Sequence, residues 1–448
     1  MMTESKIKLS DHFTYSKLIR FTLPTIVMMI FTSVYGVVDG IFVSNIVGDE
    51  AFAAINLIMP VLMIPGTVGF MLGTGGSAIV AKTLGEGDQR KAEKYFSMFV
   101  YLEIILGILL SVIGIITIEP ITYMLGADQT LAPYCITYGR IILLGLTFFI
   151  LQNSFQSFMV TANKPVMGLF VTLAAGFSNI LLDFIFVYVL NMEVTGAALA
   201  TIISQLVGAM VPLVYFMKKN KSLLRLVKTG FKFKPILKAC TNGSSEMITN
   251  LSFSLVNMLY NIQLLKYAGK DGVTSYGIIM YVGFIFVGIY LGYSIGTAPV
   301  IGYHYGAQNN DELKSILRKS FKLLAAAAFI LTLLAELSSK YLAGIFVSYN
   351  DELMTITSRA IRIYSLSYLI GWINIFASSF FTALNDGLSS GLISFLRTLI
   401  FQVAMIFLLP VWFGLDGIWA AIIAAEILSL AVSLFLIFKN SKKYGYSE

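Results

Sequence analysis

An all-α membrane fold, twelve transmembrane helices in two six-helix bundles, is what this sequence predicts, and three observations predict it. The first is composition: of 448 residues, 57% are hydrophobic and only 12% charged, with a mean hydropathy of +0.82. A soluble domain carries about twice that share of charge. A chain this apolar cannot cover itself with polar surface, whereas a bilayer accepts helices that are apolar all round. The second is length, because each candidate span reaches the roughly 20 residues that a crossing requires. The third is an internal repeat. At a shift of 221 positions Gly48 meets Gly269, Met59 meets Met280, Gly75 meets Gly296, Gly85 meets Gly306 and Gly196 meets Gly417. Identities are sparse, but apolar stretches and loops stay in register, with a slip of one residue around Arg140/Arg362 and Asn163/Asn385.

The spans follow in order. The first, 21–43, comes after a mixed polar stretch and has no small-residue cleavage site behind it, so it reads as a membrane helix rather than a removable signal. The first half continues with 52–80, 96–118, 134–160, 166–190 and 194–217, and the second half has 242–265, 274–301, 320–338, 358–384, 388–411 and 415–438. Six spans per half is an even number, so both halves enter the membrane from the same side. A pseudo-two-fold axis along the membrane normal is expected. Pro24, Pro60, Pro65 and Pro299 interrupt spans, and each removes a backbone hydrogen bond, which makes Pro24 in the first helix a candidate bending point.

Charge fixes the orientation. Lys82, Arg90, Lys91 and Lys94 fill the second-to-third loop, Lys314, Arg318, Lys319 and Lys322 its counterpart, and eight Lys/Arg lie within 218–238. The opposite loops carry Asp49, Glu50, Glu119, Asp128, Glu193, Asp351 and Glu352. Basic loops stay cytoplasmic, so both termini are expected inside, in a multi-pass plasma-membrane protein. Three segments result: 1–217 as the first lobe, 218–241 as a basic cytoplasmic linker containing Pro235 and expected as a short amphipathic helix, and 242–448 as the second lobe. Anionic lipid and topology account for the +7 net charge, so nucleic acid is not an expected partner.

Enzyme motifs are missing. The sequence has no G-x-x-x-x-G-K-[ST] and no G-x-S-x-G, and its only histidines, His12 and His304, exclude H-E-x-x-H. Cys135 and Cys240 sit apart near apolar segments and are expected to pack, neither bridging nor binding metal.

Carboxylates inside the spans are the candidates for function, since each costs a few kcal/mol at mid-membrane and needs a cavity or partner. Asp39 lies deep in the first span; Asp183 lies in the fifth, with Asn179 one turn before it on the same face, and Thr201 is polar early in the sixth. A site for a proton or cation built from Asp39, Asn179, Asp183 and Thr201 is expected. The competing explanation is that each group is tied to backbone near a helix end. In the second half Tyr260 replaces Asp39, and the acids are Glu246, after Ser244-Ser245, and Glu426, opposite Gln205 of the first half. A serine-capped helix start is the alternative explanation of Glu246. Glu103 and Glu336 are further candidates, while Arg140, Arg362 and Arg397 are expected to snorkel to headgroups. Polar–aromatic runs, Gln152-Asn153…Gln156, Asn257-Met258…Tyr260-Asn261 and Tyr368…Trp372, suit a cleft for varied organic cations. Ordinary packing explains any one of them equally simply.

In order and correctly spaced, several fragments resemble the MATE family of multidrug and toxin extrusion transporters over nearly the whole chain. They are Leu23-Pro24 with Asp39, Ala53-Ala54-Ile55-Asn56…Pro60, Gly73-Thr74-Gly75-Gly76-Ser77-Ala78, Gly85-Glu86-Gly87-Asp88, Asn179-Ile180-Leu181-Leu182-Asp183, Gly196-Ala197-Ala198-Leu199-Ala200-Thr201 and Gly292-Tyr293-Ser294-Ile295-Gly296…Pro299. The resemblance implies twelve helices in two lobes around a central cleft and export driven by H⁺ or Na⁺. It gives Asp39, Asn179, Asp183 and Thr201 the role of a first-lobe ion site, and Pro24 that of a bending proline. It leaves open whether Glu246 is a second-lobe coupling acid.

The expected function is thus a secondary antiporter, a monomer without cofactor, that exchanges organic cations or drugs for H⁺ or Na⁺. The alternatives are a flippase for lipid-linked saccharides, which would want more mid-helix arginine, and a membrane transferase.

Overall fold

The computed structural model describes residues 7–42 and 49–446, with side chains described for all of these except 37–42 and 49. Among them the chain is helical, with no strand. The helices are α1 (Tyr15–Phe42), α2 (Asp49–Gly85), α3 (Gln89–Met124), α4 (Ala132–Leu144), α5 (Leu146–Thr161) and α6 (Pro165–Asp183), the last followed by a π-helical turn, Phe184–Val189. Then come α7 (Glu193–Met217), α8 (Phe233–Gly306), α9 (Asn310–Val347), α10 (Asp351–Ser365), α11 (Tyr368–Ala383) and α12 (Gly387–Phe395), a second π-helical turn at Leu396–Phe401, and α13 (Gln402–Tyr444).

Two of these are too long to be single crossings. The 74 residues of α8 would extend about 110 Å at 1.5 Å per residue, against a hydrocarbon core of roughly 30 Å. The chain breaks α8 at Gly269 (φ 59°, ψ −146°) and α13 at Gly414 (φ 55°, ψ −134°). Two other crossings are bent pairs, α4 with α5 by 55° and α10 with α11 by 48°. Counting each bent pair once and each broken helix twice gives the twelve expected crossings among the described residues. The bends themselves were not anticipated, since 134–160 and 358–384 read as continuous apolar runs. They fall at Gly145 and Ser367, 222 positions apart, where the backbone tightens: Gly145 N–H bonds to Ile142 O and Ser367 N–H to Tyr364 O. At Gly269 the backbone is in a region open essentially to glycine. Gly269→Ala is expected to cost about 1–3 kcal/mol, read as a lower melting temperature in detergent.

The duplication is written into the turns as well as the residues. Positive φ recurs at Gly87 and Gln308, at Asn163 and Asn385, and at Glu193 and Gly414, pairs that are 221 or 222 positions apart. The caps recur too: Asp88 accepts from Lys91 N and starts α3, while Asn309 accepts from Glu312 N and starts α9.

The chain divides into two compact units, one comprising Phe31–Gly243 and the other Met1–Ile30 with Ser244–Glu448. In the first unit α2 packs on α3, α4 and α5. Gly69 and Gly73 let it approach closely, since a Cβ there would lie 2.5 Å from Ile150 O and 2.7 Å from Ser154 Cα. In the second unit Gly292 and Gly296 of α8 make the same kind of surface for α1, with Ile26 Cα 2.5 Å and Thr22 Cα 3.1 Å from the missing side chains. The segment before α1 is anchored in this unit. Phe13 is buried, its N–H donates to Glu312 Oε1 at 2.8 Å, and Lys319 donates to its carbonyl at 2.6 Å. At the other end Asp386 accepts from Tyr444 Oη at 2.7 Å and Ser389 Oγ at 2.8 Å. Burial pushes the Asp386 carboxyl up, but these bonds and the Lys443 ammonium outweigh it and leave the group below its usual range.

The basic linker 218–241 is helical only in its last part. Residues 218–232 form neither helix nor strand, and helix begins at Phe233. Two neighbours supply the backbone's partners: on α3 Ser97 Oγ accepts from Val227 N at 2.9 Å and Tyr101 Oη donates to Val227 O at 3.3 Å, and at the end of α5 the Ala162 carbonyl accepts from Leu223 N–H. With these polar groups met by neighbours, the strap needs no internal helix.

Candidate functional site

The site is built where α6 ends. Pro165 opens this helix at a position where its missing N–H costs nothing. Asn179 and Asp183, one turn apart, share the buried face near its end, 2% and 0% exposed. At Asp183 the α-helix gives way to the π-helical turn Phe184–Val189. Such a turn shifts backbone groups out of the α ladder, a distortion common at functional sites. Asn179 Nδ2 has no hydrogen-bond partner among the described residues. In hydrocarbon that donor is expensive to leave unmet.

Two further helices reach this place within the same unit. α7 packs along α6 and along the π-helical turn, and carries the half-buried Thr201 near its start. The later part of α1 meets α6 at Gly176: a Cβ there would lie 3.0 Å from Phe31 Cζ and 3.3 Å from Tyr35 Cδ1, and the Phe31 and Phe177 rings are 5.3 Å apart. Position 39 lies one turn beyond Tyr35 on the same face of α1. The Asp39 side chain itself lies outside the described residues. α1 runs unbroken through Pro24.

Among the described residues a second buried acid belongs to this unit. Glu103 on α3 is fully buried and accepts from Ser154 Oγ of α5 at 2.6 Å, while its Oε2 has no partner among the described residues. The sequence flags the acid but not Ser154, because the two are 51 positions apart. Nearby on α5, Gln152 and Gln156 are half-buried, Gln152 lying against Gly208 of α7, and Asn153 donates to Phe149 O of its own helix.

In the second unit Glu246 is half-buried well inside α8, which starts at Phe233, so the serine-capped helix start does not explain it. Arg397 does not snorkel. It is paired with Glu426, because the carboxylate sits within reach on α13 and an internal partner is better than a long detour to the headgroups. Arg362 likewise donates inward, to Ser339 Oγ at 2.9 Å, and Arg140 pairs with Glu119 at 2.9 Å. Asn257 and Asn261 are half-buried one turn apart, and Met258 is exposed. Tyr260 is fully buried and stacks on Tyr276 with ring centroids 4.7 Å apart; Tyr368 and Trp372 are also core residues, Trp372 Nε1 donating to Leu369 O.

Comparison with known proteins adds the family. A family model described as MatE matches residues 24–185 and again 247–408, the same duplication that the turns and caps display. Multidrug export protein MepA of Staphylococcus haemolyticus (strain JCSC1435) is 22% identical over 439 residues, covering 98% of this chain and 96% of its own length. Multidrug export protein MepA of Staphylococcus aureus (strain MSSA476) is 24% identical over 425 residues, covering 94% and 93%. Among solved structures, MATE in complex with MaL6 superposes with a TM-score of 0.93 at 22% identity over 99% of this chain and 100% of that one. MATE in the straight conformation gives 0.92 at 21% identity, again over 99% and 100%. Matched twice by one family model over most of its length, this multi-pass membrane protein belongs to the MatE family.

Proposed function

We propose that the protein is a multidrug exporter that exchanges organic cations or amphipathic drugs for H⁺ or Na⁺ across a bacterial cell membrane, with both termini in the cytoplasm. The single observation that carries the coupling part is the carboxylate of Asp183, without exposed surface, one turn beyond buried Asn179 where α-helix turns to π-helix inside an apolar span. The export part is supported by the names of the MepA relatives. Asp183, Asn179, Thr201 and Asp39 hold the coupling ion, and Glu246 is a coupling acid of the second unit outside the repeat. Cargo contacts come from Gln152, Asn153, Gln156, Asn257, Met258 and Asn261.

The physical logic is unequal affinity. An ion drives a transporter only by binding its two states unequally, and it expels cargo only if the two bindings are coupled. A carboxylate in a low-dielectric site answers both needs, because protonation or Na⁺ removes the local negative charge that attracts a cationic drug. The test is dye efflux from proteoliposomes under separately imposed pH and sodium gradients. Efflux that follows one of them supports antiport and names the ion; efflux indifferent to both refutes it.

A further inference from the structure

The second unit holds a buried ion pair that this exchange does not use. Arg397, in the π-helical turn after α12, donates from Nε to both oxygens of Glu426, at 2.8 and 3.0 Å, and its Nη2 lies 2.7 Å from Oε1. The Glu426 side chain is 4% exposed and that of Arg397 19%. Asn374 of α11 donates to Glu426 Oε2 at 2.6 Å and to its backbone oxygen at 3.0 Å, and Ser433 Oγ donates to Asn374 Oδ1 at 2.7 Å. Ser433 thereby fixes which way the amide points. Glu246, Tyr364 and Tyr260 are ionisable groups within electrostatic reach of the pair.

An acid at this depth must be neutralised by a proton, by a small cation, or by a cation of its own chain. Here both carboxylate oxygens are already taken by a planar guanidinium and an amide, a geometry that leaves little for a visiting ion. The first half makes the comparison. It has Ala175 and Gln205 at the places of Arg397 and Glu426, so this level is neutral by composition in one half and by pairing in the other. Resting on the exporter reading above, we infer that Arg397 is a positioning residue: a tethered counter-ion that keeps Glu426 ionised and outside the exchange of coupling ions. Removing the guanidinium converts Glu426 into an additional proton site.

Infrared spectroscopy of the purified protein in sodium-free buffer reads this directly, through the carbonyl stretch of protonated carboxyl groups. R397M is expected to gain such a band near neutral pH, and R397M/E426Q to lack it. The double variant replaces a buried pair by neutral groups of similar size, so its efflux is expected to stay within about two-fold of the parent. Absence of a Glu426-dependent band in R397M overturns the inference. So does its presence in the parent, or loss of efflux by a folded double variant. Should R397M alone fail to fold, the parent-minus-double difference spectrum decides: no protonated-carboxyl band is expected in it. A parent protein with no gradient-driven efflux would sink the exporter reading and leave the spectra standing, so the two failures are distinct.

Discussion

Asp183→Asn abolishes gradient-driven efflux while the protein still folds and inserts; that is the expected result of the most informative single substitution. Asparagine keeps the shape and hydrogen-bonding capacity of the side chain and removes the charge that answers to H⁺ or Na⁺. Deleting a carboxylate from an apolar span relieves a desolvation cost and does not add one, so expression and melting temperature are expected to stay near those of the parent. An ion that binds both states equally shifts nothing, however steep its gradient. Efflux should therefore fall to the level of empty vesicles under either gradient, while downhill binding of the dye survives. Asp39→Asn is expected to behave in the same way. Normal efflux by a well-expressed D183N variant would remove the α6 site from the mechanism.

Gly243→Val is expected to leave no correctly folded protein. A Cβ on Gly243 would overlap the Met71 carbonyl group, its carbon 2.6 Å away and Met71 Cα 2.9 Å away; one on Gly75 would fall 2.6 Å from Gly243 N. All of these are backbone atoms of α2 and the start of α8, and they cannot rotate aside as a side chain would. The cost belongs at or above the top of the overpacking range, about 3 kcal/mol, in the contact between α2 and the first turns of α8 within the first unit. Gly344→Val is the control, because nothing lies within 4 Å of a Cβ there. Size-exclusion profiles of the two variants in detergent check the difference: a monodisperse peak for G344V and none for G243V.

Much of the molecule was legible because a bilayer imposes simple rules. Twelve spans follow from length and apolarity, and the glycine pairs at 48/269 and 196/417 reveal the duplication before any coordinates do. Bends were not legible. Gly145 and Ser367 interrupt runs whose hydropathy gives no sign of it, since a bend changes geometry without changing apolarity. The linker was half legible for a related reason: its basic residues suggest an interfacial helix, but residues 218–232 are not helical, and the partners that hold Val227, Ser97 and Tyr101, are 126 to 130 positions away. The site was half legible. Asn179 and Asp183 are four residues apart, and helical period alone pairs them, whereas Glu103 with Ser154 and Arg397 with Glu426 are set by packing between helices distant in sequence. Tyr260, Tyr368 and Trp372, which the sequence suggests as cleft aromatics, are all buried in this structure, and their burial depends on partners distant in sequence.

Ion-coupled export turns on one measurement: dye efflux by purified parent and D183N protein in matched proteoliposomes, with pH and sodium gradients imposed one at a time. The expected result is efflux by the parent that rises with one inward ion gradient and vanishes in D183N. Parent efflux that ignores both gradients, or a D183N variant that responds as the parent does, would contradict it.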